Sequence, residues 1–542
     1  MSESGSGDTS TPSSAAGDGA ARVRPPIRAI DPATAKRLVG AQEGQAPRPA
    51  LYLTDRLLVR GLVQGPEDTS ELNPRLARDL ATLDLRYAVT PPRKGQQAPR
   101  SSDEAQDGGS EGGSEGDSDR VTSITLRPTD PINAVDAWAV LQQLRQTDPY
   151  WIEHASLEHV IRPADGYWGG IGGYWGGIGG YWGGIDGYWG GIGGSPLEEY
   201  AMPGRGGRMP VALALPDPAL RARPLDRTPV VALPDTQITS AHPWFADPKR
   251  VVRTALEGGQ LVVVDPTTTP DPPATPTVGQ APKPVDPAAL LGGHGTFIAG
   301  LIRQGCPEAT ILSLPVMGDD GVVEEGDLLL WLEALLDLHR RGQQGRPGGI
   351  VIDVLSLSMG YYAEDQTYQT GPVAELLSRF ARCGVAVVAG AGNDGSRDPF
   401  VPASLAAPTP RGRISPSTTP PVASVGACNP DGSTVALFSN DLELISAVRQ
   451  GVSVVSTLPL TNGMGQPSTR IVGDTGVRCT VDPDDYTGGF GVWSGTSFAA
   501  PVFAAELAAA LITEGGLTDV TDRAMCKRSI RALRTCIPEE TP

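Results

Sequence analysis

Ser497 stands in the run Gly495-Thr496-Ser497-Phe498-Ala499-Ala500-Pro501, at the head of the apolar, alanine-rich stretch 498–511. Gly495 permits a tight backbone, Thr496 and Ser497 suit a helix start, and the stretch that follows reads as a buried helix. Proline is best tolerated in a first helical turn, so Pro501 is expected there, fixing where the helix begins. A hydroxyl at this end of a helix sits among unpaired backbone N–H groups and the positive pole of the helix dipole. It can attack a carbonyl, and the oxyanion that forms finds donors close by. Taken alone, such a serine is also an ordinary helix cap.

A serine nucleophile needs a base. Of five histidines, His154, His159, His242 and His339 have ordinary surroundings. His294 lies in Gly292-Gly293-His294-Gly295-Thr296-Phe297-Ile298-Ala299-Gly300, a glycine turn opening a second apolar helix. Its small neighbours leave room for a substrate. The base needs a carboxylate to hold its tautomer, and the short apolar strand 230–234 ends in Asp235. Asp217 also follows a short apolar run and a proline, but Pro218 follows it and a turn acid is the simpler reading. The buried strand 385–389 runs into Gly390-Ala391-Gly392-Asn393, where the Asn393 amide can donate to developing negative charge.

The elements that position these groups alternate. Strands are expected at 310–314, 350–357 and 385–389, with helices at 327–341 and 373–383 between them. This predicts an α/β fold, a parallel sheet with helices on both faces, whose strand ends gather the reactive groups.

The chain order Asp, His, Ser is diagnostic among triad enzymes. With the Asp strand, His-Gly-Thr, Ala-Gly-Asn and Gly-Thr-Ser-Phe-Ala-Ala-Pro in hand, the sequence resembles the subtilisin-like serine proteases over residues 225–516. The resemblance implies a serine endopeptidase in which Ser497 is the nucleophile, His294 the base and acid, Asp235 its orienting carboxylate and Asn393 the oxyanion donor. It implies that Ser358-Met359-Gly360 is a substrate-backbone edge and pocket wall, and Gly390-Ala391-Gly392 the opposite wall. Two features depart from the family. Pro234 precedes the acid, and Gln237 stands where glycine is usual and should take a turn at some strain. No cofactor is required; calcium often stabilises such enzymes, but Asp265 and Asp319-Asp320 lack a recognisable ligand spacing. The alternatives are a maturation protease dedicated to one partner and an inactive peptide-binding scaffold.

Formal net charge is −18, from 44 basic and 62 acidic residues, which argues against nucleic acid as the partner. The partner is expected to be a protein or peptide substrate. No cationic-then-apolar signal opens the chain and no run of about 18 apolar residues is seen, so a cytoplasmic protein that avoids membranes is expected. The six cysteines form no CxxC pair and read as small buried hydrophobes.

Residues 1–47 read as a disordered tail and 48–163 as a small α+β domain interrupted by an acidic linker, 97–120. Within it, strands are expected at 51–63, 121–127 and 157–161, and helices at 72–87 and 134–145. Subtilases commonly carry a propeptide of this layout, and a module recruiting a partner fits as well. Residues 164–195 hold four GYWGGIG-type repeats with four of the nine tryptophans. Four glycines in seven exclude a coiled coil, leaving either a tether whose aromatics bind a partner or the protein's own cleft, or a plain spacer. Proline-rich insertions span 266–287 and 402–421, and 517–542 reads as a C-terminal tail.

Overall fold

The computed structural model describes residues 27–30, 50–61, 73–90, 121–130, 134–163, 208–213, 216–264, 291–318, 321–406, 418–442, 444–460, 470–474, 476–482 and 485–537. The acidic linker, the GYWGGIG repeats and the insertion at 266–287 lie outside the described residues.

The N-terminal unit comprises β1 (Ile27–Ala29), β2 (Leu51–Arg60), α1 (Pro74–Ala81), β3 (Leu85–Val89), β4 (Val121–Pro128), α2 (Ala137–Thr147), α3 (Tyr150–His154) and β5 (Ala155–Pro163). Strands β5, β2, β4 and β3 pair antiparallel in that order, and β1 pairs with β2. Residues 27–29, expected in a tail, are therefore part of the sheet. Leu76, Leu80, Trp138, Leu141 and Trp151 close its core. The helix expected over 72–87 is two elements. Asn73 caps α1 by accepting the Leu76 N–H at 3.0 Å, and Asp84, at φ +55°, turns the chain into β3. There Leu85 and Tyr87 alternate inward with period two, a strand's pattern that helical spacing had absorbed.

The larger unit contains β6 (Met209–Pro210), β7 (Val230–Asp235), β8 (Val251–Glu257), β9 (Gln260–Val264), α4 (His294–Gly305), β10 (Thr310–Pro315), β11 (Val323–Glu324), α5 (Glu325–Gln343), β12 (Val354–Leu357) and β13 (Met359–Tyr362). It continues through α6 (Pro372–Arg382), β14 (Ala386–Gly390), β15 (Phe400–Val401), β16 (Ala423–Cys428), β17 (Ala447–Gln450), β18 (Val454–Thr457), β19 (Arg470–Gly473), β20 (Gly476–Cys479), β21 (Phe490–Trp493), α7 (Thr496–Glu514) and α8 (Asp522–Cys536). The main sheet runs β17-β16-β14-β12-β7-β10-β8-β9, parallel except where β9 turns back on β8. Successive side chains of β7 go to opposite faces. Val231 and Leu233 meet α4 and α7 in one core, and Val230 and Ala232 meet α5 and α6 in the other. Two covered faces explain why these strands read as continuous apolar runs.

Pro234 sits inside this central strand. Pairing from β12 has ended at Ala232, so the missing N–H falls where the ladder on that side is over. Gln237 is not among the residues with positive φ, so the strain expected there is absent. The segment expected as a C-terminal tail carries α8, which buries Met525, Ile530 and Leu533 against the domain and donates from Ser529 Oγ to Gly384 O at 2.7 Å. Among the described residues one helix, α7, is long and apolar enough to cross a membrane. It is the core helix of the domain, with 72% of the qualifying window buried. All six cysteines are free thiols, five of them buried.

Candidate active site

The parallel sheet delivers Asp235 at the end of β7 and His294 as the first residue of α4. Gly293 caps α4 with φ +94°, a left-handed conformation suited to glycine. At Gly295 a side chain would collide with Thr236 O and crowd Asp235 Oδ1 at 3.1 Å, so the helix approaches the strand end only because that residue is glycine. Thr236 Oγ1 accepts the Gly295 N–H at 2.9 Å, and Thr296 Oγ1 accepts the Thr239 N–H at 3.0 Å. The result is a His294 Nδ1 held 2.8 Å from Asp235 Oδ1 and 3.0 Å from Oδ2. With Nδ1 donating to the carboxylate, Nε2 is left as the basic nitrogen. The His294 ring is steadied by Trp493 and Phe498, with centroids 5.7 and 5.4 Å away.

Ser497 is the second residue of α7, and Pro501 lies in the second turn rather than the first. Proline has no N–H for the carbonyl four residues back, which is that of Ser497. Ser358 fills the gap: its Oγ donates to Ser497 O at 2.8 Å. Ser497 Oγ in turn donates to Ser358 O at 3.0 Å. Two serines 139 residues apart thus hold each other reciprocally.

Asn393 follows β14. Its Oδ1 accepts the Thr496 N–H at 2.8 Å, which settles the amide orientation and makes Nδ2 the donor face. The Gly392 N–H donates to Thr496 Oγ1 at 3.0 Å, so Gly390-Ala391-Gly392 is tied to α7. Asp235, His294 and Ser497 are each 0% exposed, and Asn393 4%. The structure therefore gathers the four residues singled out in the sequence. Asp217 is elsewhere, accepting the Ala219 N–H and pairing with Arg303 at 3.2 Å.

Met359 and Gly360 form an edge, but the edge is occupied. Strand β13 pairs antiparallel with the end of β5, Met359 opposite Pro163 and Gly360 opposite Arg162. On its other side β5 pairs with β11, Val323 opposite Ile161 and Glu324 opposite Val160. The chain is described again at Arg208, whose guanidinium lies 5.0 Å over Trp493 and donates to Gly292 O at 3.4 Å. Pro163 and Arg208 thus both lie beside the candidate active-site residues.

His159 does not have ordinary surroundings. Its Nδ1 is 2.6 Å from Glu325 and its Nε2 2.8 Å from Glu364, both from the catalytic domain. Burial disfavours the charged ring, but Glu364 and Glu325 outweigh it and lift its pKa to about 10. For the neighbouring Glu158 burial acts in the other direction and lifts the carboxyl to about 8, against the opposing Ser123 hydroxyl. His242 and His339 are structural: burial lowers each to about 4, and each Nδ1 accepts a backbone N–H. Among the described residues no group of three or more His, Cys, Asp or Glu is placed to hold a metal ion. Asp265 and Asp319-Asp320 lie outside them.

Thr496, Trp493 and the bonding of Ser358, expected only as a substrate edge, to Ser497 were not legible, since these roles depend on partners distant in sequence. The Gly-Thr-Ser run was the signal that could have flagged Thr496.

The model of the subtilase family matches residues 226–536, so the chain belongs to that family and is a subtilisin-like serine protease. The match extends through α8. Among solved structures the chain is similar to the self-cleaved protease domain of PatA, with 19% identity over 58% of this chain and 93% of that one and a TM-score of 0.33. It is also similar to the prenylagaramide maturation protease PagA, with 17% identity over 57% and 94% and a TM-score of 0.31. No curated protein matches the chain.

Proposed function

We propose that the protein hydrolyses peptide bonds through an acyl-enzyme on Ser497. The observation that carries this reading is the fully buried His294–Asp235 pair at 2.8 Å, in a site that also holds Ser497 at a helix start. A substrate backbone lies along Met359-Gly360 and presents its carbonyl to Ser497. The hydroxyl proton, now engaged with Ser358 O, passes to His294 Nε2 as Oγ attacks, and Asp235 stabilises the imidazolium. Asn393 Nδ2 and the Ser497 N–H at the start of α7 receive the oxyanion. His294 then protonates the leaving amine, and water reverses the sequence to free the acid. Ser497→Ala and His294→Ala should each lower kcat on a peptide by about 10⁶-fold, because such groups act as a unit. Retained turnover in either variant refutes the assignment.

The same geometry gives the N-terminal unit a role in cis. Strand β5 takes the place between β11 and β13 that an extended substrate needs, so a peptide from outside competes with it. Pro163, the last residue of β5, lies against Met359, the neighbour of Ser358. The proposed first cleavage is therefore between Ala164 and Asp165, just ahead of the repeats. Mass spectrometry of the purified chain should find Asp165 as a new N-terminus, absent in Ser497→Ala. Intact chain after long incubation at high concentration counts against cleavage in cis.

A further inference from the structure

We propose that Phe400 closes the side-chain pocket beside Ser497, restricting cleavage to bonds that follow glycine or alanine. The proposal rests on the hydrolase reading and names its substrate class.

The pocket for the residue whose carbonyl is attacked is bounded by the chain after β12 and the chain after β14. Both walls are fixed to the nucleophile's helix, one through Ser358 and Ser497, the other through Gly392 and Thr496. The Phe400 ring lies between them. A methyl group built on Gly360 would stand 2.6 Å from Phe400 Cε1 and 2.7 Å from Cζ. One built on Gly392 would stand 3.1 Å from Cγ of the same ring. The ring therefore runs from one wall to the other, its far edge against Gly360 and its root against Gly392. Both walls lack a Cβ where they meet it; a methyl group on Gly360 would also strike Val401 O and one on Gly392 the Asn440 amide, so the ring fills the space between the two glycines together with that carbonyl and amide.

Phe400 is also held in place. It is 5% exposed and packs with Ala391, Ala403 and Leu442. Tyr362 lies against it at 5.1 Å between centroids, pinned by its own hydroxyl to Asp394 at 2.6 Å and by Asn440 Nδ2 at 2.9 Å. Strand pairing of Tyr362 with Phe400 and Tyr361 with Val401 fixes the backbone beneath. Swinging the ring out would break this packing, and a large substrate side chain would have to share a filled volume. A hydrogen atom or a methyl group needs neither.

The chain's own sequence agrees from an independent direction. The residue after the strand lodged in the cleft is Ala164, and every repeat beyond it offers glycine followed by glycine.

The test is a peptide library varied only at the residue preceding the scissile bond, incubated with the full chain. The expected result is a kcat/KM for glycine and alanine peptides at least about 100-fold above that for leucine, phenylalanine and tyrosine. Phe400→Gly should raise kcat/KM on the phenylalanine peptide at least about tenfold relative to alanine, and Phe400→Ala should do so in smaller measure. The selectivity ratio is the readout, since a merely structural loss lowers both rates together. Equal wild-type rates on alanine and phenylalanine peptides would overturn the proposal, and so would active Phe400 variants with an unchanged ratio. If Phe400→Gly does not fold, the wild-type profile and Phe400→Ala still decide. Cleavage of the alanine peptide is the internal control: its presence makes loss of selectivity count against the pocket, whereas absence of any cleavage counts against the hydrolase reading.

Discussion

Asn393 and Ser358 carry the most specific expectations at the scale of single residues. Asn393 Oδ1 is committed to the Thr496 N–H, so the amide presents Nδ2 where charge develops. Asn393→Ala should lower kcat about 10²–10³-fold with little change in KM, because the bond forms mainly in the transition state. An unchanged kcat removes Asn393 from the mechanism. Ser358 compensates for the N–H that Pro501 lacks. Ser358→Ala should destabilise the domain by about 1–3 kcal/mol, since it strands a buried carbonyl. In a Pro501→Ala background, where a backbone N–H is restored, the same substitution should cost measurably less in denaturant melts. Additive losses would mean that the two do not share that carbonyl. The four candidate residues stood out because each sits in a short run whose residue types have a mechanical reason. The reciprocal serine pair was not, since nothing in a local window joins residues 358 and 497.

Secondary elements were legible wherever both faces are covered. The apolar runs at 310–314 and 385–389 became β10 and β14, and their alternation with helices gave the layered sheet. Elements that are short or depend on packing left no such signal. Residues 72–87 satisfied a helical period, yet the turn at Asp84 hands Leu85 and Tyr87 to a strand. Residues 517–542 looked like a tail because α8 is basic and mostly polar, with its apolar contacts confined to one face. Deleting α8 exposes the flank of α7 it covers. A chain ending at residue 516 should therefore melt well below the full chain or fail to remain soluble, as read by circular dichroism. An unchanged melting temperature would show α8 to be a bystander.

For the whole molecule, docking of the N-terminal unit on the protease should depend on protonation. His159 and Glu158 enter the catalytic domain on β5. They face Arg56 on β2, Ser123 on β4, Glu324 on β11, Glu325 and Asp327 on α5, and Tyr361 and Glu364 at β13. Both hold protons more tightly when docked: His159 at about 10 against 6.5, and Glu158 at about 8 against 4.5. A raised pKa stabilises the docked state below the free value and loses that stabilisation as pH climbs through the docked one. Docking should weaken through Glu158 between about pH 4.5 and 8, and through His159 between about 6.5 and 10. The melting temperature of the Ser497→Ala chain, which stays intact, should fall over this range. Glu158→Gln should flatten the part below pH 8. A melting temperature that rises with pH over this range contradicts the assignment. No sequence window reveals this cluster, because its members come from separate strands and helices of two units.

Peptide-bond hydrolysis by this chain requires Ser497 as a nucleophile served by His294. The direct measurement is to treat the full chain with a small fluorophosphonate and locate the adduct by peptide mapping. The predicted result is a single adduct on Ser497, absent in Ser497→Ala and formed far more slowly in His294→Ala. An adduct on another residue, or undiminished labelling of Ser497→Ala, would contradict it.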